Sequence, residues 1–374
     1  MTSYPARSRA FIGLDLIRFV AALMVAMHHL GTAYWRPDLN VARSAQPPPT
    51  SIVFELWRWG WTGVEIFFVL SGFVIAYSLQ GRTAKQFVYN RFLRLYPAAW
   101  ICASLSLVLG RWGQPGALAD YARSMLLSPI GPWIDFVYWT LAVEIVFYLS
   151  VAAFRGFGLR ITMLAKLLTL LSATYWFGRA IDYSTGGHYA SAFRSLDTVT
   201  GNLTLIPYGC FFALGIFLWS WKFEGPSASK AIFCMLATAS GALGIFALGR
   251  FFCSDYPCDA PWRAIEPVLI WLAALLAVLF STLKAEQVWT RFGSWARGFR
   301  LLGLATYPLY LLHEKIGAAW LKALGGGWLV LIFVVCGLIA MSFAVVFAEA
   351  WLRKFLVRLF PKWSEPPLPT ASLP

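Results

Sequence analysis

Residues 13–35 read GLDLIRFVAALMVAMHHLGTAYW. Apart from Asp15, Arg18 and the pair His28-His29 the stretch is apolar, and about 20 such residues in a helix cross the hydrocarbon core of a bilayer. A charge within such a span costs about 2.5–3.5 kcal/mol on insertion scales, so each one asks for a reason. Arg18 and His29 stand eleven residues apart. That is close to three helical turns, which puts both on one face with about 16 Å between them along the axis. Two readings stay open for each. Arg18 either snorkels beside Asp15, one turn earlier, or holds the anionic end of a ligand. His29 is either an interfacial ring bonded to a carbonyl or a reactive group at the far end of the same ligand.

The rest of the chain has the same character. Of 374 residues 59% are hydrophobic and 13% charged, against about 45–50% and 25% in soluble domains. A soluble core of this size could not hide so much apolar surface. The expectation is therefore an all-α, polytopic membrane bundle. Ten candidate spans lie near 11–32, 62–80, 95–110, 136–154, 161–178, 203–221, 229–249, 264–283, 301–320 and 328–352. With the N-terminus inside, the cytoplasmic segments carry 18 Lys and Arg against 11 outside, which predicts that both termini are cytoplasmic. The net charge of +14 is read as this topological bias, which also attracts anionic cofactors, and not as a nucleic-acid footprint. Residues 1–360 are expected to form one integral membrane domain, and 361–374, with WSEPPLPTASLP, a disordered cytoplasmic tail. The first apolar run lacks a small-residue cleavage site and reads as a retained helix. Cys102, Cys210, Cys234 and Cys336 lie in apolar stretches. Cys253 and Cys258 share a polar segment without a nearby His, which argues against zinc and leaves a local disulfide open.

Other polar residues fall inside the spans. Glu65 opens the second one at a depth similar to His29, where a carboxylate can hold the imidazole's tautomer or simply face water. Ser71-Gly72-Phe73 interrupts an apolar run; small residues there suit close helix packing, with a serine nucleophile as the minor alternative. Arg91 and Arg94, three apart before Pro97, face one side of a helix and suit phosphates, or serve only as positive-inside charge. Glu144 lies two turns into the fourth span and must face the interior, with Tyr148 one turn on, as a packing network or as a second candidate to orient His29. Tyr307, Tyr310 and His313 recur every third residue as one polar face; His313 is either functional or a boundary histidine.

Five blocks taken together resemble the membrane acyltransferase-3 family, which includes O-acetyltransferases of bacterial surface polysaccharides. They are Leu14-Asp15-x-x-Arg18 running to His29, GVEIFFVLSGF at 63–73, Arg91-x-x-Arg94 before Pro97, WTLAVEIVFY at 139–148 and YPLYLLH at 307–313. The resemblance implies a ten-helix domain in the bacterial inner membrane. It implies acyl-CoA, commonly acetyl-CoA, as co-substrate with no permanently bound cofactor or metal, and a carbohydrate or glycolipid acceptor. His29 would be catalytic with Glu65 or Glu144 assisting, Arg18, Arg91 and Arg94 would hold the donor, and Asp15, Ser71, Tyr148, Tyr310 and His313 would support the site. Some members carry an extra esterase-like domain; none is read in these residues, so the domain is expected to act alone or with soluble partners. A homo-oligomer is compatible with the sequence. Readings of other classes are a transporter using an Arg/Glu/His path and a non-catalytic scaffold for polysaccharide assembly.

Overall fold

The structure is a computed structural model that describes residues 11–35, 55, 57–185, 196, 198–255 and 261–359. The tail 361–374 and Cys258 lie outside the described residues. Cys253 is disulfide-bonded. Among the described residues all regular structure is helical. The long helices are α1 (Ile12–Gly31), α2 (Gly63–Leu79), α3 (Ala84–Ser106), α5 (Trp139–Gly156), α6 (Ile161–Ser184), α7 (Gly209–Glu224), α8 (Ala228–Asp255), α9 (Glu266–Leu283), α11 (Ala296–Ala323) and α12 (Trp328–Leu359). Shorter ones lie between them, among them α4 (Ala117–Met125) and α10 (Ala285–Phe292).

Among the described residues, eight helices are long and apolar enough to cross a membrane. The two expected spans that do not meet this measure are α7 and α11. Helix α7 has only 16 residues, and all of Gly209–Ser220 is buried. Helix α11 carries Arg297, Arg300, His313, Glu314, Lys315 and Lys322. Both are packed among other helices, so neither needs a continuous apolar face toward lipid. That face is supplied elsewhere: Phe333 is 67% and Phe347 68% exposed on α12, and Leu276 is 65% exposed on α9.

Helix α3 begins eleven residues before its expected start at 95. The Thr83 hydroxyl accepts from the Gln86 backbone N–H, and the Gln86 side chain accepts from the Thr83 N–H. This reciprocal cap nucleates a helix from residue 84. Arg91 and Arg94 therefore sit within a long helix and not in a connector. Pro97 is accommodated inside it, and its last turn loosens into a π-helical segment, Leu107–Arg111.

Small residues set the helix contacts that matter for the site. A Cβ on Gly72 would come within 2.1 Å of the Phe212 carbonyl oxygen, and one on Gly215 within 2.0 Å of the Val69 carbonyl oxygen. Helices α2 and α7 thus cross backbone to backbone, as the Ser71-Gly72-Phe73 interruption predicts. Helices α1 and α11 run parallel and pack along their length. Gly303 sits against Asp15, and Gly317 against Leu30. The two glycines are 14 residues apart and their partners 15, about four turns in each helix, so the two helices keep register from end to end. That register brings His29 of α1 beside His313 of α11. Buried apolar side chains form two clusters, one around α2, α6 and α7 and one around α3, α11 and α12. Val64, Phe67, Trp139 and Tyr148 pack against both and mark the seam between them.

Candidate active site

A cavity of about 870 Å³ of empty space opens along this seam. Several of the intramembrane polar residues converge on it. Arg18 of α1, Ser71 of α2, Arg91 and Arg94 of α3, Glu144 and Tyr148 of α5, and Tyr310 of α11 all line its wall. Apolar side chains such as Phe67, Phe68 and Leu141 fill the intervals. Three guanidinium groups on one concave surface form a strong attraction for a polyanion, because each can donate two parallel N–H bonds to a phosphate.

Each cation is held in place. Arg18 lies 3.8 Å from Asp15. Arg94 lies 3.4 Å from Glu349 of α12 and stacks over the Tyr307 ring at 5.6 Å. Arg91 stacks over Phe87 at 5.8 Å, and its Nε is buried without a partner among the described residues. Such a donor is expensive to leave unmade, so it marks the place where an anion would complete the site. Glu144 accepts from the Tyr148 hydroxyl at 3.1 Å, and that hydroxyl lies 3.4 Å from Ser71 Oγ. Ser71 is thereby part of a hydrogen-bonded network with Tyr148 and Glu144.

The histidines lie beyond Tyr310, further along α1 and α11. His313 is fully buried, and its Nδ1 lies 2.8 Å from the Tyr310 carbonyl oxygen. A carbonyl only accepts, so Nδ1–H donates and, in the neutral ring, Nε2 keeps its lone pair. His29 Nδ1 lies 2.7 Å from that Nε2, so it carries the proton and donates it. His29 Nε2 is then left as a free lone pair on a half-buried ring. The two rings are nearly parallel, at 7° with centroids 4.9 Å apart. The arrangement is a fixed-tautomer imidazole of the kind general-base catalysis requires. Its neighbour His28 is of the other kind: 3% exposed, with Nδ1 3.3 Å from the Trp57 carbonyl oxygen.

Two expectations need correction. The group that orients His29 is His313, and neither Glu65 nor Glu144 does so. Glu65 is 3% exposed with Oε2 unpartnered among the described residues, and it does not line the cavity. Glu144 bonds to Tyr148 at the arginine end. Asp15 pairs with Arg18, as one reading of the sequence expects, and packs against Gly303 of the cavity wall. His29 itself does not line the cavity as it stands; the cavity wall ends at Tyr310, whose carbonyl anchors His313 and whose hydroxyl is 3.0 Å from Thr140 Oγ1. Sequence reasoning missed Glu349 and Thr140. Glu349 stands in the apolar run VVFAEAWL at 345–352 and was open to the same test of intramembrane charge that found Arg18. Nothing in the sequence distinguishes Thr140 from any other buried hydroxyl.

The acyltransferase-3 family model, described as an acyltransferase domain, matches residues 11–349. The chain belongs to this family. The acyltransferase-3 match runs from the start of α1 to Glu349 and so spans every residue of the cavity and the histidine pair. Among relatives, the chain is 25% identical over 346 residues to "Peptidoglycan O-acetyltransferase OatA" of Listeria monocytogenes, covering 83% of this chain and 50% of that protein. It is 24% identical over 353 residues to YrhL of Bacillus subtilis, covering 81% and 48%. Over 162 residues it is 29% identical to nodulation protein 10 of Rhizobium leguminosarum, covering 36% and 42%. The chain therefore spans about half the length of the relatives it matches. No solved structure matches.

Proposed function

We propose that this acyltransferase-3 domain moves an acyl group, acetyl in the first instance, from acyl-CoA on the cytoplasmic side to a hydroxyl of a carbohydrate-type acceptor on the outer side. The observation that carries the reading is the relay from the Tyr310 carbonyl through His313 to His29, standing above an arginine-lined cavity. In this reading both termini are cytoplasmic, all ten long helices cross a bacterial inner membrane, and α7 and α11 do so shielded by their neighbours. Donor phosphates pair with Arg18, Arg91 and Arg94, and the pantetheine arm follows the cavity toward Tyr310. The wall at Tyr310 must yield for the thioester to reach His29.

The chemistry is then a balanced exchange. His29 Nε2 takes the proton of the acceptor hydroxyl as its oxygen attacks the thioester carbonyl carbon. The new C–O bond forms, the C–S bond breaks, and the imidazolium returns its proton to the departing thiolate. His313 accepts a stronger bond from His29 Nδ1–H while the ring is charged. Peptidoglycan, in the name of the Listeria relative, is one acceptor of this class.

The test uses the full chain in proteoliposomes with radiolabelled acetyl-CoA and a glycan acceptor. Label should pass to the glycan only when both are present. In the Arg91→Gln variant KM for acetyl-CoA should rise about tenfold, the cost of one charge-assisted pair of about 1.4 kcal/mol, with kcat little changed. A wild-type protein that neither binds nor consumes acetyl-CoA would refute the reading.

A further inference from the structure

A second cavity opens at the arginine end of the bundle, on the far side of α2. Val74 and Ile75 line the first cavity, while Ala76, Leu79 and Gln80 line the second. It is larger, with about 1510 Å³ of empty space, and opens to solvent. Its wall holds four cations, Arg155, Arg160, Lys166 and Lys230, and one carboxylate, Glu224. Lys230 Nζ donates to the Gly225 carbonyl at 2.7 Å and lies 3.5 Å from Glu224, which also accepts from the Ser220 hydroxyl. The single carboxylate is thus answered within the wall, and three cations remain. Arg155 is anchored through Nε to the Arg82 carbonyl at 3.0 Å, and Lys166 rests over the Phe233 ring at 5.2 Å.

Two helices also begin here. The first residues of α6, Ile161 and Thr162, line the cavity, and no side chain caps that helix. Ser227 and Ser229, at the start of α8, line it as well. At α6 the uncapped N–H groups and the positive end of the helix dipole favour an anion, whereas at the start of α8 the Ser227 hydroxyl accepts from the Lys230 backbone N–H. The positive-inside rule accounts for basic residues at this end of the bundle. It does not account for their convergence with the uncapped start of α6 on one concavity.

We propose that this cavity is a binding site for a phosphate-bearing anion, with the phosphate seated among Arg160, Lys166 and the first turn of α6. A nucleotide phosphate and a phospholipid headgroup share this chemistry. The inference needs only a binding event, so it stands or falls apart from the acyl-transfer reading.

The test uses the full chain in nanodiscs of phosphatidylcholine with two probes: adenosine 3′,5′-bisphosphate followed by calorimetry, and added phosphatidylglycerol followed by native mass spectrometry. The double variant Arg160→Gln/Lys166→Gln should weaken one probe about tenfold or more, and wild-type binding of that probe should fall as salt rises. Loss of the bisphosphate identifies a nucleotide site; loss of phosphatidylglycerol identifies a headgroup site. The single variant Arg160→Gln removes one guanidinium of the wall, so it should weaken the same probe by a smaller factor and serves if the double variant does not fold. If both probes bind these variants within threefold of wild type, or neither binds the wild type, the proposal is overturned.

Discussion

Replacing His29 with alanine is expected to lower acyl transfer by about 10²–10⁴-fold, the usual contribution of a positioned base, or about 2.7–5.4 kcal/mol of transition-state stabilisation. The protein should still fold, because His29 is half-buried and its side-chain hydrogen bond among the described residues goes to His313. Acetyl-CoA affinity should change little, since the arginines that hold the donor are untouched. A His29→Gly variant should regain part of its rate with added imidazole, which a purely structural role would not allow. His313→Ala should cost less. It removes the acceptor for His29 Nδ1–H and lets the ring adopt either tautomer, while leaving Nε2 in place. Initial rates in proteoliposomes, at matched amounts of folded protein, check all three. Full activity in folded His29→Ala protein would remove this residue from the chemistry.

The second large effect concerns the fold. Gly215→Val should prevent α2 and α7 from reaching their native separation, because a Cβ there would sit 2.0 Å from the Val69 carbonyl oxygen and 2.5 Å from the Phe73 nitrogen. Both obstacles are backbone, which cannot swing aside as a side chain can. Overpacking of a close-packed interior typically costs about 1–3 kcal/mol, and a backbone clash belongs at or above the top of that range. Helix α2 carries Phe67, Phe68 and Ser71 on the cavity wall, so activity should fall with stability. Gly298→Ala is the control. A Cβ there meets nothing within 4 Å, and alanine is the better helix former by up to about 1 kcal/mol. Melting followed by size-exclusion chromatography should show Gly215→Val aggregated or unfolded at temperatures where Gly298→Ala is monodisperse. Equal melting of the two would show that the helix crossing is not as described.

Much of this was legible in the chain because lipid makes polar residues conspicuous. Arg18, Arg91, Arg94, Glu144 and Tyr148 stand out within apolar helices, and all five line one cavity. The three-residue spacing of Tyr307, Tyr310 and His313 likewise placed them on one face. Pairing between distant helices was not legible. The meeting of His29 with His313 depends on the parallel register of α1 and α11, set by Gly303 and Gly317 against Asp15 and Leu30, and periodicity within one helix carries no trace of it. Glu65 misled for the same reason: its depth resembled that of His29, but depth does not specify which way a side chain turns. The start of α3 was misplaced because an apolar-run criterion overlooks a polar helical turn that a capping box at Thr83 and Gln86 is sufficient to begin. Helices α7 and α11 lack the length or the apolar surface of a lipid-facing span, and both are wrapped by other helices, which removes the need for an apolar face.

The most direct test of the central claim is a structure of the full chain in a bilayer mimic with a non-hydrolysable acetyl-CoA analogue bound. Phosphate oxygens should lie within hydrogen-bonding distance of Arg18, Arg91 or Arg94. The acyl carbon should lie past Tyr310, close enough to His29 for a bound hydroxyl to bridge them, with reacting atoms about 3–3.5 Å apart. A donor seated elsewhere, or an acyl carbon that the His29 ring faces away from, would contradict the account.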